Sequence, residues 1–275
     1  MTLAGGRERK ISENDEMLDR SRRALAEVLK ETALRCGGQV REEDGLLLVA
    51  ANHPCPVLVN SALRMGAMEA EKVLHRAQAF FGGLRRGWET WIRDGIDADL
   101  EMVARAHGMS VAPDLVGMVM ATAPDLPEPR PGVEVRRVTD LQGLQEFRMV
   151  AADGLREEAP GLSDLIHAVF SEPRVLLAPD TAGFVVRYWG QPASTAVMML
   201  KEDVAWIGWV ATRPYSRRLG LGLLATAAAT RAGFDLGARF ASLEATEMGV
   251  PVYIRLGYRE IVRYRNYWPS GFVRY

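Results

Sequence analysis

The stretch Val210-Ala-Thr-Arg-Pro-Tyr-Ser-Arg-Arg-Leu-Gly-Leu-Gly222 decides the fold of this 275-residue chain. It follows an apolar run at residues 204–209 and leads into an alanine-rich segment after Gly222. A short apolar run bounded by Gly and Pro is typical of a buried strand, and an alanine-rich segment favours a helix. The stretch therefore predicts a strand, a loop and the start of a helix.

The loop has an RxxGxG pattern from Arg217 to Gly222, and its chemistry favours an anion. Glycines let the main chain approach a ligand closely, and the N–H groups in the first turn of a helix have no partner within the helix. The helix dipole and the side chains of Arg217 and Arg218 add positive charge there. We expect a pyrophosphate at this loop; the alternative is a glycine-rich turn without a ligand.

Two other phosphate-binding loops fit the spacing less well. A Walker loop needs a lysine followed by Ser or Thr, and none follows Gly220 or Gly222. A Rossmann fingerprint accepts Gly220-Leu-Gly-Leu-Leu-Ala225, and Glu244 is near the distance expected of its ribose ligand. The segment before the loop, however, has the pattern of an antiparallel meander.

Two motifs resemble the GNAT acetyltransferase superfamily. Its acetyl-CoA loop is (Q/R)xxGx(G/A) after a strand, often preceded by Val or Thr, one residue and Pro. Thr212-Arg-Pro214 and the run from Arg217 to Gly222 match that pattern. A second signature, lYxxxG(F/Y), is matched by Val252-Tyr-Ile-Arg-Leu-Gly-Tyr258. The resemblance covers residues 133–275.

The resemblance implies a site. In GNAT folds the strand before the loop and the next strand splay apart, and the pantetheine arm of acetyl-CoA lies between them; here these are residues 206–212 and 240–246. The amine attacks the thioester directly, and Tyr253 matches the position of the proton donor to the thiolate. Its alternative role is a packed core aromatic. The residues implied in cofactor binding are Val210, Ala211 and Thr212 for pantetheine, and Arg217, Arg218, Leu219, Gly220, Leu221 and Gly222 for pyrophosphate.

No motif marks the general base. No histidine follows His167, and residues 204–212 contain no carboxylate. Our candidate is Glu244, acting directly or through water. The alternatives, all carboxylates that are commonly only solvated, are Glu247, Glu202 and Asp203.

The pattern along the second half predicts the order of elements found in that superfamily. Strands are predicted at residues 132–138, 183–189, 193–200, 204–212, 240–245 and 258–268. Helices are predicted at residues 140–154, 162–170, 219–232 and 251–256.

A linker with four prolines at residues 123–132 separates this half from residues 1–122. Strands are predicted there at residues 39–41, 46–52, 56–63, 87–93 and 110–120, and helices at 13–36, 69–84 and 97–107. That order repeats the second half. The run before the long helix lacks RxxGxG, and Ala104 takes the place of Tyr253. We expect a degenerate GNAT-like lobe that does not bind CoA; the alternative is an unrelated α/β domain.

The predicted fold class is therefore α/β with mixed sheets. Two tandem GNAT-like lobes are expected, each a mostly antiparallel sheet flanked by helices. Residues 133–275 form the predicted N-acetyltransferase domain.

Composition narrows the class of protein. The chain has 34 Lys and Arg and 35 Asp and Glu. Its net charge of −1 therefore gives no overall positive field that would attract nucleic acid or a membrane surface. The sequence shows neither a signal peptide nor an apolar run long enough for a bilayer. With only Cys36 and Cys55, we expect no disulfide framework and a cytoplasmic protein. The four histidines lack metal-ligand spacing, so no metal is expected.

We predict an acyltransferase that moves an acetyl group from acetyl-CoA to a primary amine of a small molecule or peptide. The protein is expected to be a monomer or a homodimer. The alternative is a non-catalytic module that binds acyl-CoA as a sensor or structural ligand. Such a module keeps the loop but needs neither Tyr253 nor a base.

Overall fold

A computed structural model describes residues 12–55, 58–158 and 161–270 of the chain. The elements of the first half are α1 (Glu13–Arg35), β1 (Gln39–Glu43), β2 (Leu46–Ala50), β3 (Asn60–Arg64), α2 (Ala70–Leu84), β4 (Glu89–Arg93), α3 (Ala98–Ala106), β5 (Ser110–Val111) and β6 (Leu115–Met120). Those of the second half are β7 (Val133–Arg137), α4 (Leu141–Leu155), α5 (Leu162–Val169), α6 (Pro173–Leu176), β8 (Thr181–Tyr188), β9 (Gln191–Lys201), β10 (Val204–Thr212), α7 (Leu221–Asp235), β11 (Phe240–Ala245), α8 (Val250–Leu256) and β12 (Arg259–Trp268).

The predicted elements are present in the predicted order, and β10 and β11 have the predicted bounds. The strand predicted at residues 110–120 is divided into β5 and β6, because Pro113 has no N–H to continue the pairing. The short helix α6 was not predicted. The strand predicted at residues 56–63 is observed as β3, and residues 56 and 57 lie outside the described part of the chain.

The strands form one mixed sheet in the order β1-β2-β3-β4-β12-β6-β11-β10-β9-β8-β7, and β5 pairs with β12. Neighbours are antiparallel except for β3 with β4 and β10 with β11. In each half, the parallel pair consists of the strand before the long helix and the strand after it: β3 and β4 flank α2, and β10 and β11 flank α7. The predicted α/β class with a mostly antiparallel mixed sheet is therefore confirmed.

The two halves exchange their last strands. The strand β6, which precedes the proline-rich linker, lies between β11 and β12 of the second half. The strand β12 in turn pairs with β4 of the first half. Each half therefore completes the sheet of the other, and the two lobes share one continuous sheet.

Helices cover both faces of the sheet. On the first face, α1, α4 and α5 contribute to a single apolar cluster with side chains of β2, β10 and β12. On the second face, α7 packs over the second half of the chain and α2 over the first half. Among the described residues, no helix combines the length and the apolar character needed to cross a membrane.

The small residues of α7 hold it close to the sheet. A Cβ added at Gly233 would lie 2.3 Å from the Cβ of Ala205 on β10, so no larger residue fits there without a shift. Ala225, Ala227 and Ala229 are also buried. Because α7 lies along the sheet at this short distance, its first turn is placed at the end of β10.

Candidate active site

The strands β10 and β11 pair over only part of their length. Val204, Ala205 and Trp206 of β10 face Phe240, Ala241 and Ser242 of β11. Beyond Trp206, the described residues of the two strands form no further pairs, although β10 continues to Thr212 and β11 to Ala245. The peptide groups along this edge are therefore open to an extended ligand, as backbone edges are wherever strands separate.

A β-bulge on β10 accompanies the separation. The register with β9 shifts between Gly208 and Ala211, and Trp209 has a positive φ of 50°. The hydroxyl of Thr195 donates to the carbonyl of Trp209 at 3.2 Å, which holds the bulge in place. A bulge bends its strand and re-aims its peptide groups, and bulges are common next to active sites.

The predicted glycine loop lies at the open end of this gap. Gly220 has φ 79° and immediately precedes α7, and a Cβ built on it meets no atom within 4 Å. The N–H of Leu224 bonds to the carbonyl of Gly220 at 3.1 Å. Within the described part of the chain, the N–H groups of Leu221, Gly222 and Leu223 have no hydrogen-bond acceptor. Three free donors at a helix N-terminus, beside open space, form a site suited to a phosphate group.

The two arginines of the loop differ in what they contact. Arg217 donates from Nη2 to the carbonyl of Gly154 at 3.1 Å and lies 3.7 Å from a carboxylate oxygen of Glu157. Arg218 is exposed, with φ 64°, and its side chain has no hydrogen bond or ion pair to any described residue. Arg217 thus ties the loop to α4, whereas Arg218 is available to a ligand.

Glu244 and Trp206 face each other across the gap on the first face of the sheet. The indole Nε1 of Trp206 donates to Oε2 of Glu244 at 2.8 Å. The indole ring lies over Gly208, where an added Cβ would overlap it. Burial raises the pKa of Glu244 to about 7, although the hydrogen bond from Trp206 opposes that effect. A carboxyl with this pKa takes up and releases a proton near neutral pH.

Tyr253 lies on α8, directly after β11. Its ring is buried beside Gly249 and Tyr258. Burial raises the pKa of Tyr253, and the charge of Glu158 raises it further. The phenol therefore keeps its proton at neutral pH and has one O–H that can be donated. Its ring belongs to the apolar cluster on the second face of the sheet, whereas Glu244 lies on the first face.

The other carboxylates considered as bases lie elsewhere. Glu202 and Asp203 stand at the start of β10, roughly 26 Å along the strand from the loop. Glu202 lies 3.8 Å from Arg23, and Asp203 forms an ion pair with Arg20 of α1. Glu247 is exposed in the turn after β11. Of the four candidates, Glu244 is the one beside the gap.

The corresponding gap in the first half is closed. Ser61 and Ala62 of β3 pair with Glu89 and Thr90 of β4, and the pairing then stops. Beyond it, Asp97 accepts hydrogen bonds from Arg64 of β3 at 2.8 Å and from Arg93 of β4 at 2.8 Å. These side chains lie between β3 and β4, at the position that corresponds to the open gap between β10 and β11. No sequence pattern indicates this cluster, because its members are far apart in the chain and are brought together by the fold.

Comparison with known proteins agrees with this geometry at the level of fold. The chain is similar to a GCN5-related N-acetyltransferase from Kribbella flavida, with 21% identity, a TM-score of 0.71, and coverage of 90% of this chain and 95% of that one. It is similar to one from Sphaerobacter thermophilus, with 14% identity, a TM-score of 0.58, and coverage of 89% and 91%.

A third similar structure is a tandem GNAT protein from the clavulanic acid biosynthesis pathway, with 13% identity, a TM-score of 0.56, and coverage of 81% of this chain and 77% of that one. No protein-family model matches the chain, and no curated protein sequence matches it. The GNAT resemblance predicted from two motifs is thus confirmed as a shared fold.

Proposed function

On the premise of that fold, we propose that the protein is an acetyl-CoA-dependent N-acetyltransferase that acts on a primary amine by direct attack. The observation that carries the proposal is the gap between β10 and β11, with free helix N–H groups at its open end. The GNAT fold of the chain supports the same reaction class. The site geometry supports binding and chemistry in the same place.

The donor would be held by main chain. The free N–H groups of Leu221, Gly222 and Leu223, with the side chain of Arg218, bind the pyrophosphate at the start of α7. The peptide groups of Val210, Ala211 and Thr212 bind the pantetheine amides beside the bulge. Arg217 acts indirectly, because its guanidinium fixes the loop against the carbonyl of Gly154.

Three groups then carry out the transfer. The amine nitrogen forms a bond to the thioester carbonyl carbon, and the carbon–sulfur bond breaks. Glu244 accepts the proton that leaves the nitrogen, and its pKa of about 7 suits that role near neutral pH. Tyr253 donates a proton to the departing sulfur. Trp206 keeps the carboxylate of Glu244 facing the gap.

A non-catalytic acyl-CoA-binding module remains the second candidate, because the loop and gap serve binding equally well. Such a module gains nothing from a carboxyl that titrates near pH 7 inside the gap. Glu244 is therefore the residue that separates the two candidates.

Calorimetric titration with acetyl-CoA tests the binding step. The wild type should bind at one site per chain with micromolar affinity. Gly220→Val should lose most of that affinity, because a side chain there is strained at positive φ and fills the space before the N–H groups. Arg231→Ala is the matched control, since Arg231 is on the same helix and forms its ion pair with the exposed Asp235. Absence of binding to the wild type would contradict the proposal.

A further inference from the structure

The indole of Trp206 bridges the two strands at the closed end of the gap. Its Nε1 donates to Oε2 of Glu244 on β11 at 2.8 Å. A Cβ added at Gly208 on β10 would overlap Cη2 and Cζ3 of the same ring. Trp206 also stands in the last residue pair of β10 with β11, opposite Ser242. On the first face, the ring therefore covers the part of the gap that begins directly after this pair.

Apolar side chains close the second face of the same part of the gap. Ile207 and Leu243 follow the last pair on the two strands, and they are 1% and 2% exposed. Both belong to the apolar cluster that includes Tyr253 and the buried side of α7. A group at this end of the gap therefore has Trp206 on one face and Ile207 and Leu243 on the other.

The proposed donor places its acyl group at this closed end. Its pyrophosphate is at the start of α7, and its pantetheine amides are at Val210, Ala211 and Thr212. The thioester follows these amides along β10, away from the loop, and so it arrives beside Gly208. Gly208 is partly exposed although the residues on either side of it are buried. Because it has no side chain, the thioester can approach its peptide groups closely.

We propose that Trp206 selects acetyl over longer acyl groups by filling the space beyond the acetyl methyl. The inference rests on the proposed acetyltransferase function and adds a residue that determines donor specificity at the same site. Each further methylene has to displace the indole or strain the packing of Ile207 and Leu243. The hydrogen bond to Glu244 opposes that displacement, because breaking it leaves a buried N–H without an acceptor.

The bridge leaves a path for the amine. Within the described part of the chain, Oε1 of Glu244 has no hydrogen-bond donor, and the residue is partly exposed. The amine can therefore reach Glu244 and the thioester carbon from the side of the indole that faces the loop. Trp206 thus has two effects: it orients Glu244, and it closes the space beyond the acyl group.

Binding of acyl-CoA tests the proposal without an identified acceptor. Calorimetry is carried out with CoA, acetyl-CoA, propionyl-CoA and butyryl-CoA on the full-length wild type, Trp206→Leu and Trp206→Phe. Trp209→Leu is the matched control, because Trp209 is the other tryptophan of β10 on the first face and its ring packs against Phe170, with 5.2 Å between the ring centroids. CoA has no acyl group, so its affinity reports whether each variant keeps the fold and the loop.

The ratio of affinities for acetyl-CoA and butyryl-CoA is the decisive quantity. The wild type should bind acetyl-CoA more tightly by about 10-fold or more, the usual effect of a methylene that a pocket does not accommodate. Trp206→Leu should bind the two with equal affinity or prefer butyryl-CoA, because the space of the indole is then free. Trp206→Phe should give an intermediate ratio and Trp209→Leu the ratio of the wild type. The affinity of Trp206→Leu and Trp206→Phe for CoA should stay that of the wild type.

Two variants of Glu244 test the hydrogen bond by itself. Glu244→Gln keeps an oxygen that accepts from the indole, whereas Glu244→Ala removes it and releases the ring. The preference for acetyl-CoA should persist in Glu244→Gln and fall in Glu244→Ala. If Trp206→Leu loses CoA binding, the ratios in Trp206→Phe and Glu244→Ala decide.

The outcomes separate this inference from the proposed function. Equal affinities for acetyl-CoA and butyryl-CoA in the wild type would overturn the inference and leave the proposed function intact. A preference that survives in Trp206→Leu with unchanged CoA binding would do the same. No binding of any acyl-CoA by the wild type would contradict the proposed function, and the inference with it.

Discussion

Between β10 and β11, three residue pairs are followed by an open gap; between β3 and β4, two residue pairs are followed by the ion pairs of Asp97 with Arg64 and Arg93. Both halves place a glutamate on the first face of the second strand of the pair: Glu244 lies beyond the last paired residue of β11, whereas Glu89 lies within the paired part of β4. Glu244 has one donor, Trp206, whereas Glu89 accepts from the N–H of Leu58 and from Asn266. Under the proposed function, the same strand arrangement serves chemistry where it stays open and stability where side chains fill it.

Replacing the two glutamates should separate these roles most strongly. We expect Glu244→Gln to lower kcat by about 10²- to 10⁴-fold, the usual contribution of a general base. Glu89→Gln should leave kcat within about twofold of the wild type, because Glu89 is enclosed in the other half. Steady-state kinetics with saturating acetyl-CoA and amine measures both. Full turnover by Glu244→Gln would remove Glu244 from the mechanism.

Removal of Asp97 should destabilise the closed gap. Asp97→Ala leaves Arg64 and Arg93 without their shared carboxylate, and breaking a buried ion pair costs about 3–5 kcal/mol. Asp99→Ala should cost less than about 1 kcal/mol, because Asp99 is 55% exposed. Urea unfolding measures the free energies. Equal losses in the two variants would show that the buried cluster is not what holds β3 and β4.

From about pH 4.5 to about pH 7, Glu89 should lower the stability of the protein as pH rises, in the same direction as Glu244, whose pKa burial also raises to about 7. Burial raises the pKa of Glu89 to about 7 from an ordinary value of 4.5. Between these values, the unfolded chain has released this proton and the folded chain still holds it, so raising the pH favours unfolding by about 3 kcal/mol in total. The loss is complete above pH 7. In Glu89→Gln, the pH dependence of the unfolding free energy should be flatter over that range; an unchanged slope would exclude Glu89 as its source.

The smallest expected effect concerns Trp206. The reaction needs the carboxylate form of Glu244, so kcat/KM should rise with pH through about 7. The hydrogen bond from Trp206 favours that form, and Trp206→Phe should therefore move the midpoint upward by up to about one pH unit. The pH profiles of kcat/KM are measured for both proteins with the same amine. The titration of that amine then affects both profiles equally and cancels in the comparison. A midpoint that stays in place would mean that Trp206 does not tune Glu244.

The local features of the site could be predicted from the sequence, and the distant contacts could not. The bounds of β10 and β11 and the loop before α7 follow from short motifs, because a strand, a glycine turn and a helix start depend on neighbouring residues. The exchange of β6 and β12 depends on pairing between distant segments, and either half alone has the pattern of a complete lobe. The partners of Glu244 and Asp97 were missed for the same reason.

The difference between the two gaps is tested most directly by amide hydrogen exchange with and without acetyl-CoA, resolved to single residues. We predict slower exchange at the N–H groups of Leu221, Gly222 and Leu223 and along residues 207–212, with no change along β3, β4 or the start of α2. Protection in the first half, or no protection at the start of α7, would contradict this prediction.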